Sequence, residues 1–217
     1  MNEKEIAFIG KITAGVTHEV NNVLASIREI SGLLSDILSI TSAETFPRKE
    51  KFEASIQKIQ NQEKRGVKLI NQLNKFAHLP DVSSTEIDLN ELIEHLIYLT
   101  ERFGRIKNIE LHTQPSGQSV KVITNPFYLQ MALFNCLEYF LKNLKAGGKV
   151  FINPVNNKTE CLINIFAEGE FTDSSDLFNE TVSNELTIVN EIGKYSGAVI
   201  EYDKLKLNIK LKLPLEK

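Results

Sequence analysis

His18, Glu19 and Asn22 stand together in the run AGVTHEVNNVLASI (14–27). An imidazole beside a carboxylate, with an amide one helical turn on, can act as a nucleophile or a proton carrier near neutral pH. A zinc site is the weaker reading. HEVNN resembles the zinc-binding pattern H-E-x-x-H, but Asn22 replaces the second His. An amide oxygen is a poor zinc ligand, and no third ligand is apparent. His78, His95 and His112 lie far apart without a partner motif, so surface or interface roles are expected for them. Cys136 and Cys161 sit in separate apolar runs. They read as two buried thiols of a reducing compartment, not as a metal pair or a disulfide.

A long helix must carry His18. Ile9, Val16, Val23, Ile30 and Ile37 recur every seven residues, and Val20, Ile27 and Leu34 form a second series. Interleaved, they are the seam of a coiled coil or bundle. The pattern predicts a helix over about 3–42. His18 points away from the seam, with Glu19 between them. SAETFPRKE (42–50) breaks this helix. A second follows over about 50–78, with Phe52, Ile56, Ile59, Ile70, Leu73 and Ala77 on one face. A single αα-hairpin has no second layer to cover its stripes. Two hairpins about a twofold axis give a four-helix bundle, so a homodimer is expected; the alternative is a monomer whose C-terminal domain covers the stripe.

Past Pro80 the chain turns to alternating β-type segments, and LPDVSST (79–85) reads as a linker. Helices are expected at 89–103, 126–145 and about 182–196. Strands are expected at 107–113, 119–124, 149–153, 160–166, 198–203 and 205–213, with hairpin turns at NPVNNKT (153–159) and YDK (202–204). The fold class is therefore α plus α/β. A helical hairpin (1–79) and a linker (80–85) precede a two-layer α/β sandwich (86–217), with helices on one face of a mixed sheet. Phe127, Phe134, Tyr139 and Phe140 read as core of that sandwich. The alternating Lys and Leu of KLKLNIKLKLPLEK suit an edge strand guarded by a Lys row.

Composition narrows the partners. The chain has 217 residues, 42% hydrophobic and 24% charged, with net charge −3 and a pI near 5.9. That is a globular chain without a basic field, so no nucleic-acid partner is expected. No apolar run approaches the ~20 residues of a membrane span. MNEKEIAFIG lacks a signal-peptide core. No membrane association and a cytoplasmic location are the expectations.

AGVTHEVNNVLASI resembles the H-box of bacterial sensor histidine kinases, H-E-x-x-N-P-L, through His18, Glu19, Asn22 and Leu24. Val23 stands where the family has Pro, which leaves the helix straighter beyond His18. The resemblance implies a dimerisation and phosphotransfer hairpin. His18 would be phosphorylated on a ring nitrogen, Glu19 would assist as a base, and Asn22 would position water during dephosphorylation.

The α/β half resembles that family's ATPase domain with its nucleotide motifs lost. ITNPFYLQMALFNCLEYFLKN (123–143) is similar to D-P-x-x-L-x-Q-v-l-x-N-L-l-x-N-A through Asn125, Pro126, Leu129, Leu133, Asn135 and Leu137. The Asn that helps hold Mg²⁺ falls on Tyr139, and the Ala after it on Phe140. INIFAEGEF (163–171) takes the place of I-x-V-x-D-N-G-x-G. Gly169 is kept, Ala167 replaces the adenine-reading Asp, and Phe171 replaces the second Gly. SNELTIVNEIGKYSGAVIEY (183–202) keeps Ile188, Val189, Ile192 and Gly197, but has Ser183, Asn184 and Glu185 in place of phosphate-contacting glycines. The 172–182 connection is too short for the usual lid. Tyr cannot replace an amide oxygen on Mg²⁺, Ala cannot accept from adenine, and side chains where Gly stood block close approach to phosphates.

The expectation is a histidine phosphotransferase of kinase-derived, dimeric type. It would pass a phosphoryl group between His18 and the Asp of a response-regulator receiver domain, without its own ATP-dependent autophosphorylation. It would bind no cofactor, because the receiver supplies the Mg²⁺. Two alternatives stay open: a phosphatase or non-catalytic regulator of a response regulator, and a divergent sensor histidine kinase.

Overall fold

The computed structural model describes residues 3–39, 49–114, 119–157, 160–172, 191, 193–203 and 208–214. The chain divides into two compact units. Ile9–Phe76 form one; Met1–Phe8 and Ala77–Lys217 form the other.

The first unit is built from helix α1 (Glu3–Ser39) and helix α2 (Lys49–Ala77). Val23 of α1 meets α2 at Gly66, where a Cβ would lie 3.3 Å from the Val23 Cγ1. These two residues lie about equally far from the 40–48 connection, so the helices run antiparallel. Ile12, Val16, Glu19 and Val23 are buried on α1 at three- and four-residue spacing. On α2 the buried ladder includes Ser55, Leu69 and Phe76.

The rest of the expected stripes is not covered within the single hairpin. Val20 and Ile27 are only half-buried, and Leu24 beside them is 55% exposed. On α2, Phe52, Ile56, Ile59 and Leu73 are half-buried, Ile70 is 48% exposed, and Ala77 is exposed. The apolar arc is wider than one partner helix can cover. In an antiparallel pair, the Val20–Leu24–Ile27 flank of α1 lies on the same side as the Ile56–Ile59–Ile70 flank of α2.

In the second unit, Leu79–Asp81 form a single 3₁₀ turn, and strand β1 (Thr85–Asp88) leads into helix α3 (Leu89–Lys107). The stretch read as a linker is thus partly ordered. β1 is four residues long, too short for alternation to reveal. It exists because it pairs antiparallel with β3 (Lys121–Thr124), Ile87 opposite Val122. The main sheet has five strands in the order β2-β4-β5-β7-β6. They are β2 (Glu110–His112), β4 (Lys149–Asn157), β5 (Glu160–Glu168), β6 (Val199–Asp203) and β7 (Asn208–Pro214). β2 runs parallel to β4 and every other pairing is antiparallel, so the sheet is mixed.

β4 runs through Pro154, where a turn was expected. β2 ends opposite Phe151, so Pro154 sits where β4 is an edge and its missing N–H costs no ladder bond. The expected turn at 202–204 also moves, since β6 continues to Asp203. Residues 182–190 of the expected last helix, the start of the expected last strand (205–207) and the side chains of the Lys-rich C-terminus lie outside the described residues.

α3 packs on β2 and β4, and α4 (Pro126–Asn143) on β5. Val150, Ile152, Ile163 and Ile165 are fully buried from the strands. α3 presents Leu89, Leu92, Ile93, Leu96 and Leu99 from one face. α4 is buried nearly all round, with Leu129, Leu133, Leu137 and Phe140 inaccessible. Both cysteines are buried and free. Burial pushes the Cys136 thiol up to about 12, and it raises Cys161 as well.

Caps fix where these helices begin. Asn125 accepts from the backbone N–H groups of Phe127 and Tyr128 (3.1 and 3.2 Å), and Pro126 occupies the first turn. Asp88 accepts from the Asn90 N–H (2.8 Å) and the Ser119 hydroxyl (2.6 Å). Burial works against the ionised form of Asp88, but hydrogen bonds from Ser119, Asn90 and Val120 outweigh it. They hold the carboxyl below its ordinary 3.8. A depressed folded pKa contributes stability above the unfolded value and loses it as pH falls through the folded one. Asp88→Ala is expected to cost about 1 kcal/mol at pH 7. In urea melts the gap from the parent chain should narrow below pH 3.8; a gap that is constant with pH would refute the ionised cap.

Candidate functional site

His18 and Asn22 are both exposed on α1, one turn apart, on the flank opposite Val20 and Leu24. Glu19 is not beside them in water. It occupies the buried ladder between Val16 and Val23, at 5% exposure. Its carboxylate accepts from the guanidinium of Arg65 on α2, forming an ion pair within the hairpin. The structure thus places His18 and Asn22 on an open face and turns their acidic neighbour inward. An exposed imidazole, accessible on a rigid helix, can take up and release a group delivered by a large partner.

Arg65 is the residue that sequence reasoning missed. The signal was present. Glu19 falls on the 12–16–19–23 ladder, so a carboxylate had to enter the seam. A carboxylate there demands a cation from the opposing helix. Arg65 precedes Leu69 by four residues on the buried face of α2.

The residues matched to the nucleotide motifs sit elsewhere in the sandwich. Asn135 is half-buried on α4 and donates from Nδ2 to the Met131 carbonyl at 2.7 Å. Tyr139, one turn on, is 5% exposed and meets Phe140 edge to face with ring centroids 5.4 Å apart. Ala167 is half-buried on β5, paired with Val150. Gly169 ends that strand with φ +134°, and a Cβ there would stand 3.0 Å from the Gly148 Cα. Glycine at this position is thus explained locally by the backbone turn and the close approach. Phe171 bridges antiparallel to Leu144. Ser183, Asn184, Glu185, Ile188, Val189 and Ile192 lie outside the described residues.

The remaining histidines have local partners: His78 with Asp81 (3.2 Å), His112 with Glu110 (2.8 Å) and His95 with Gln130 (3.0 Å). Among the described residues, no group of three or more His, Cys, Asp or Glu could hold a metal ion. No helix among them is long and apolar enough to cross a membrane.

In chain order, a hairpin with an exposed histidine is followed by a mixed sheet on which α3 and α4 pack. Comparison with known proteins relates the chain to sensor histidine kinases. The chain is 24% identical to the sensor protein kinase PilS of Pseudomonas aeruginosa over 149 residues, 68% of this chain and 26% of PilS. It is 27% identical to the C4-dicarboxylate transport sensor protein DctB of Rhizobium meliloti over 143 residues, 63% of this chain and 21% of DctB. It therefore spans about a quarter of the length of these relatives. The catalytic domain of histidine kinase ThkA superposes with a TM-score of 0.51 at 20% identity, over 61% of this chain and 97% of that one. Histidine kinase AdeS of Acinetobacter baumannii gives 0.50 at 15% identity, over 90% and 98%. No protein-family model matches the chain. The chain is a relative of the sensor histidine kinases, and its α/β unit has the fold of their ATPase domain.

Tyr139 behaves as core in this geometry. Tyr139→Asn, which writes the motif amide back, is expected to lower stability by on the order of 3 kcal/mol, because it empties an aromatic volume from a packed helix. Chemical denaturation checks this. A loss below about 0.5 kcal/mol, the range of a surface change, would show that the ring is not core.

Proposed function

We propose that this protein is a histidine phosphotransferase of two-component signalling. It passes a phosphoryl group between His18 and the Asp of a response-regulator receiver domain, without ATP-dependent autophosphorylation of its own. One observation carries the reading. His18 stands exposed beside the retained Asn22, while the position of the Mg²⁺-binding amide is a buried tyrosine, Tyr139. Accepting the group, an unprotonated ring nitrogen of His18 attacks the aspartyl phosphate. The N–P bond forms as the P–O bond breaks, aspartate leaves as carboxylate, and the imidazolium sheds its N–H proton to solvent. The receiver brings the Mg²⁺, so this chain needs no cofactor.

The protein acts as a homodimer in this reading. The open apolar flank of Val20, Leu24 and Ile27 on α1, with Ile56, Ile59 and Ile70 on α2, supports a second hairpin packed there. Receivers are cytoplasmic, and so is the proposed site of action. A second reading, dephosphorylation of the response regulator, is favoured by the exposed amide of Asn22 one turn from His18. The sensor-kinase relatives keep a third in view, a divergent kinase.

Three outcomes test this. Mixed with a phosphorylated receiver, the parent chain should acquire label and His18→Ala none, with stability nearly unchanged because an exposed side chain packs little. Asn22→Ala should leave transfer intact, and Glu19→Ala should impair it modestly, because Arg65 loses its partner and the helix that carries His18 is held less firmly. Release of free phosphate without labelled protein would favour the phosphatase. Calorimetry should detect no Mg-ATP binding, whereas micromolar affinity would return the chain to the kinases. Light scattering should give twice 24.5 kDa. Val20→Asp with Ile27→Asp should reduce that to the monomer mass, since unpaired charges cannot be buried in the interface.

A further inference from the structure

We propose that Arg65 is a phosphoryl-binding residue: one edge of its guanidinium holds Glu19, and its remaining donors take the oxygens of a phosphoryl group on His18. The proposal rests on the reading of His18 as phosphoacceptor and adds the group that stabilises the phosphorylated state. Glu19 is the next residue to His18 and is buried. Arg65 reaches it from α2 with a side chain still 37% exposed, so the guanidinium lies at the rim of the seam rather than inside it. Among the described residues its one partner is Glu19, contacted through a single Nη. The other N–H donors of the guanidinium have no protein acceptor there.

The flank is the right one. With α1 and α2 antiparallel, the side of α2 that accompanies His18 and Asn22 is the one away from Ile56 and Ile70. Lys58, Asn61, Arg65, Lys68, Gln72 and Lys75 recur along that side at three- and four-residue spacing, with no acidic residue in the series. Phosphorylation of His18 would set a group of nearly two negative charges beside the Glu19 carboxylate. Two anions that close need a cation between them. A guanidinium can bridge them with parallel N–H bonds, as a Lys ammonium cannot.

The test uses the full chain and potassium phosphoramidate, which phosphorylates imidazole without a receiver. The N–P bond to His18 forms as the donor's own N–P bond breaks; ammonia leaves with a proton, and the imidazole gives up its N–H proton. Rates of labelling are read together with a ³¹P NMR titration of the phosphohistidine. Arg65→Gln is expected to slow labelling about tenfold, the worth of one hydrogen bond to a charged group. It should also raise the phosphoryl titration midpoint by about one pH unit, because a neighbouring cation favours the dianion. Arg65→Lys should fall between. Because Arg65→Gln removes the cation that pairs with a buried carboxylate, the decisive comparison is Glu19→Gln against Glu19→Gln with Arg65→Gln, in which that carboxylate is absent from both chains. The midpoint should still rise in the double variant. An unchanged midpoint in a chain that does label would overturn the role of Arg65 alone. No label on the parent chain would overturn the His18 reading and this proposal with it.

Discussion

A carboxylate buried between two helices constrains everything around it. Glu19 sits on the ladder that α1 turns toward α2, where the guanidinium of Arg65 pairs with its carboxylate. Such a pair adds little net stability over an apolar pair of the same shape, but losing one partner is costly. Its value is in register. A slip of α2 by one turn would carry Arg65 away from Glu19 and Gly66 away from Val23, so the ion pair and this close approach together fix how the hairpin closes. Fixing Glu19 inward also fixes His18 outward, because adjacent residues on a helix differ by about 100°. The exposure of the imidazole follows from the burial of its neighbour.

The α/β unit is organised on the opposite principle, with no charged side chain among its described buried residues. α4 is surrounded, and its aromatic residues fill the centre. Phe103 meets Phe134 at 5.9 Å and Tyr139 meets Phe140 at 5.4 Å. A helix that supplied an amide to a metal at Tyr139 would leave a polar opening at that point. Here the same position closes the core. Asn135 keeps the motif residue type, but its side chain donates to a carbonyl of its own helix. The identity of a motif residue and its availability for a ligand are separate matters.

Much of this was legible in the sequence, and the failures have definite causes. The seven-residue recurrence located α1 and α2 because long amphipathic helices repeat their signal many times. It did not say which apolar flank the hairpin would bury itself. The periodicity of α2 picked out Phe52, Ile56, Ile59 and Ile70, whereas the observed ladder runs through Ser55, Leu69 and Phe76. Hydropathy weights the wider apolar arc, and the intramolecular seam includes Ser55, Glu19 and Arg65, which it discounts. β1 was missed because four residues carry too little alternation and its partner β3 is remote in the chain. The continuation of β4 through Pro154 was missed because proline reads as a stop unless the strand is known to be an edge there. His18, Asn22 and Glu19 were found by type and spacing; Arg65 was not, because no local motif contains it.

The two flanks of the hairpin divide the work that the sequence compresses into one helix. On one side Val20 and Ile27 are half-covered and Leu24 is exposed, an apolar flank that the hairpin's own seam does not bury. On the other, His18 and Asn22 face water beside a lysine-bearing edge of α2. A helix can serve both because 3.6 residues per turn send neighbours in sequence to different faces: His18 outward, Glu19 into the seam, Val20 toward the open apolar flank. Three consecutive residues thus reach three environments. Substituting any one of them perturbs a different interaction, which makes this short run of α1 the place where assembly, register and chemistry can be separated by experiment.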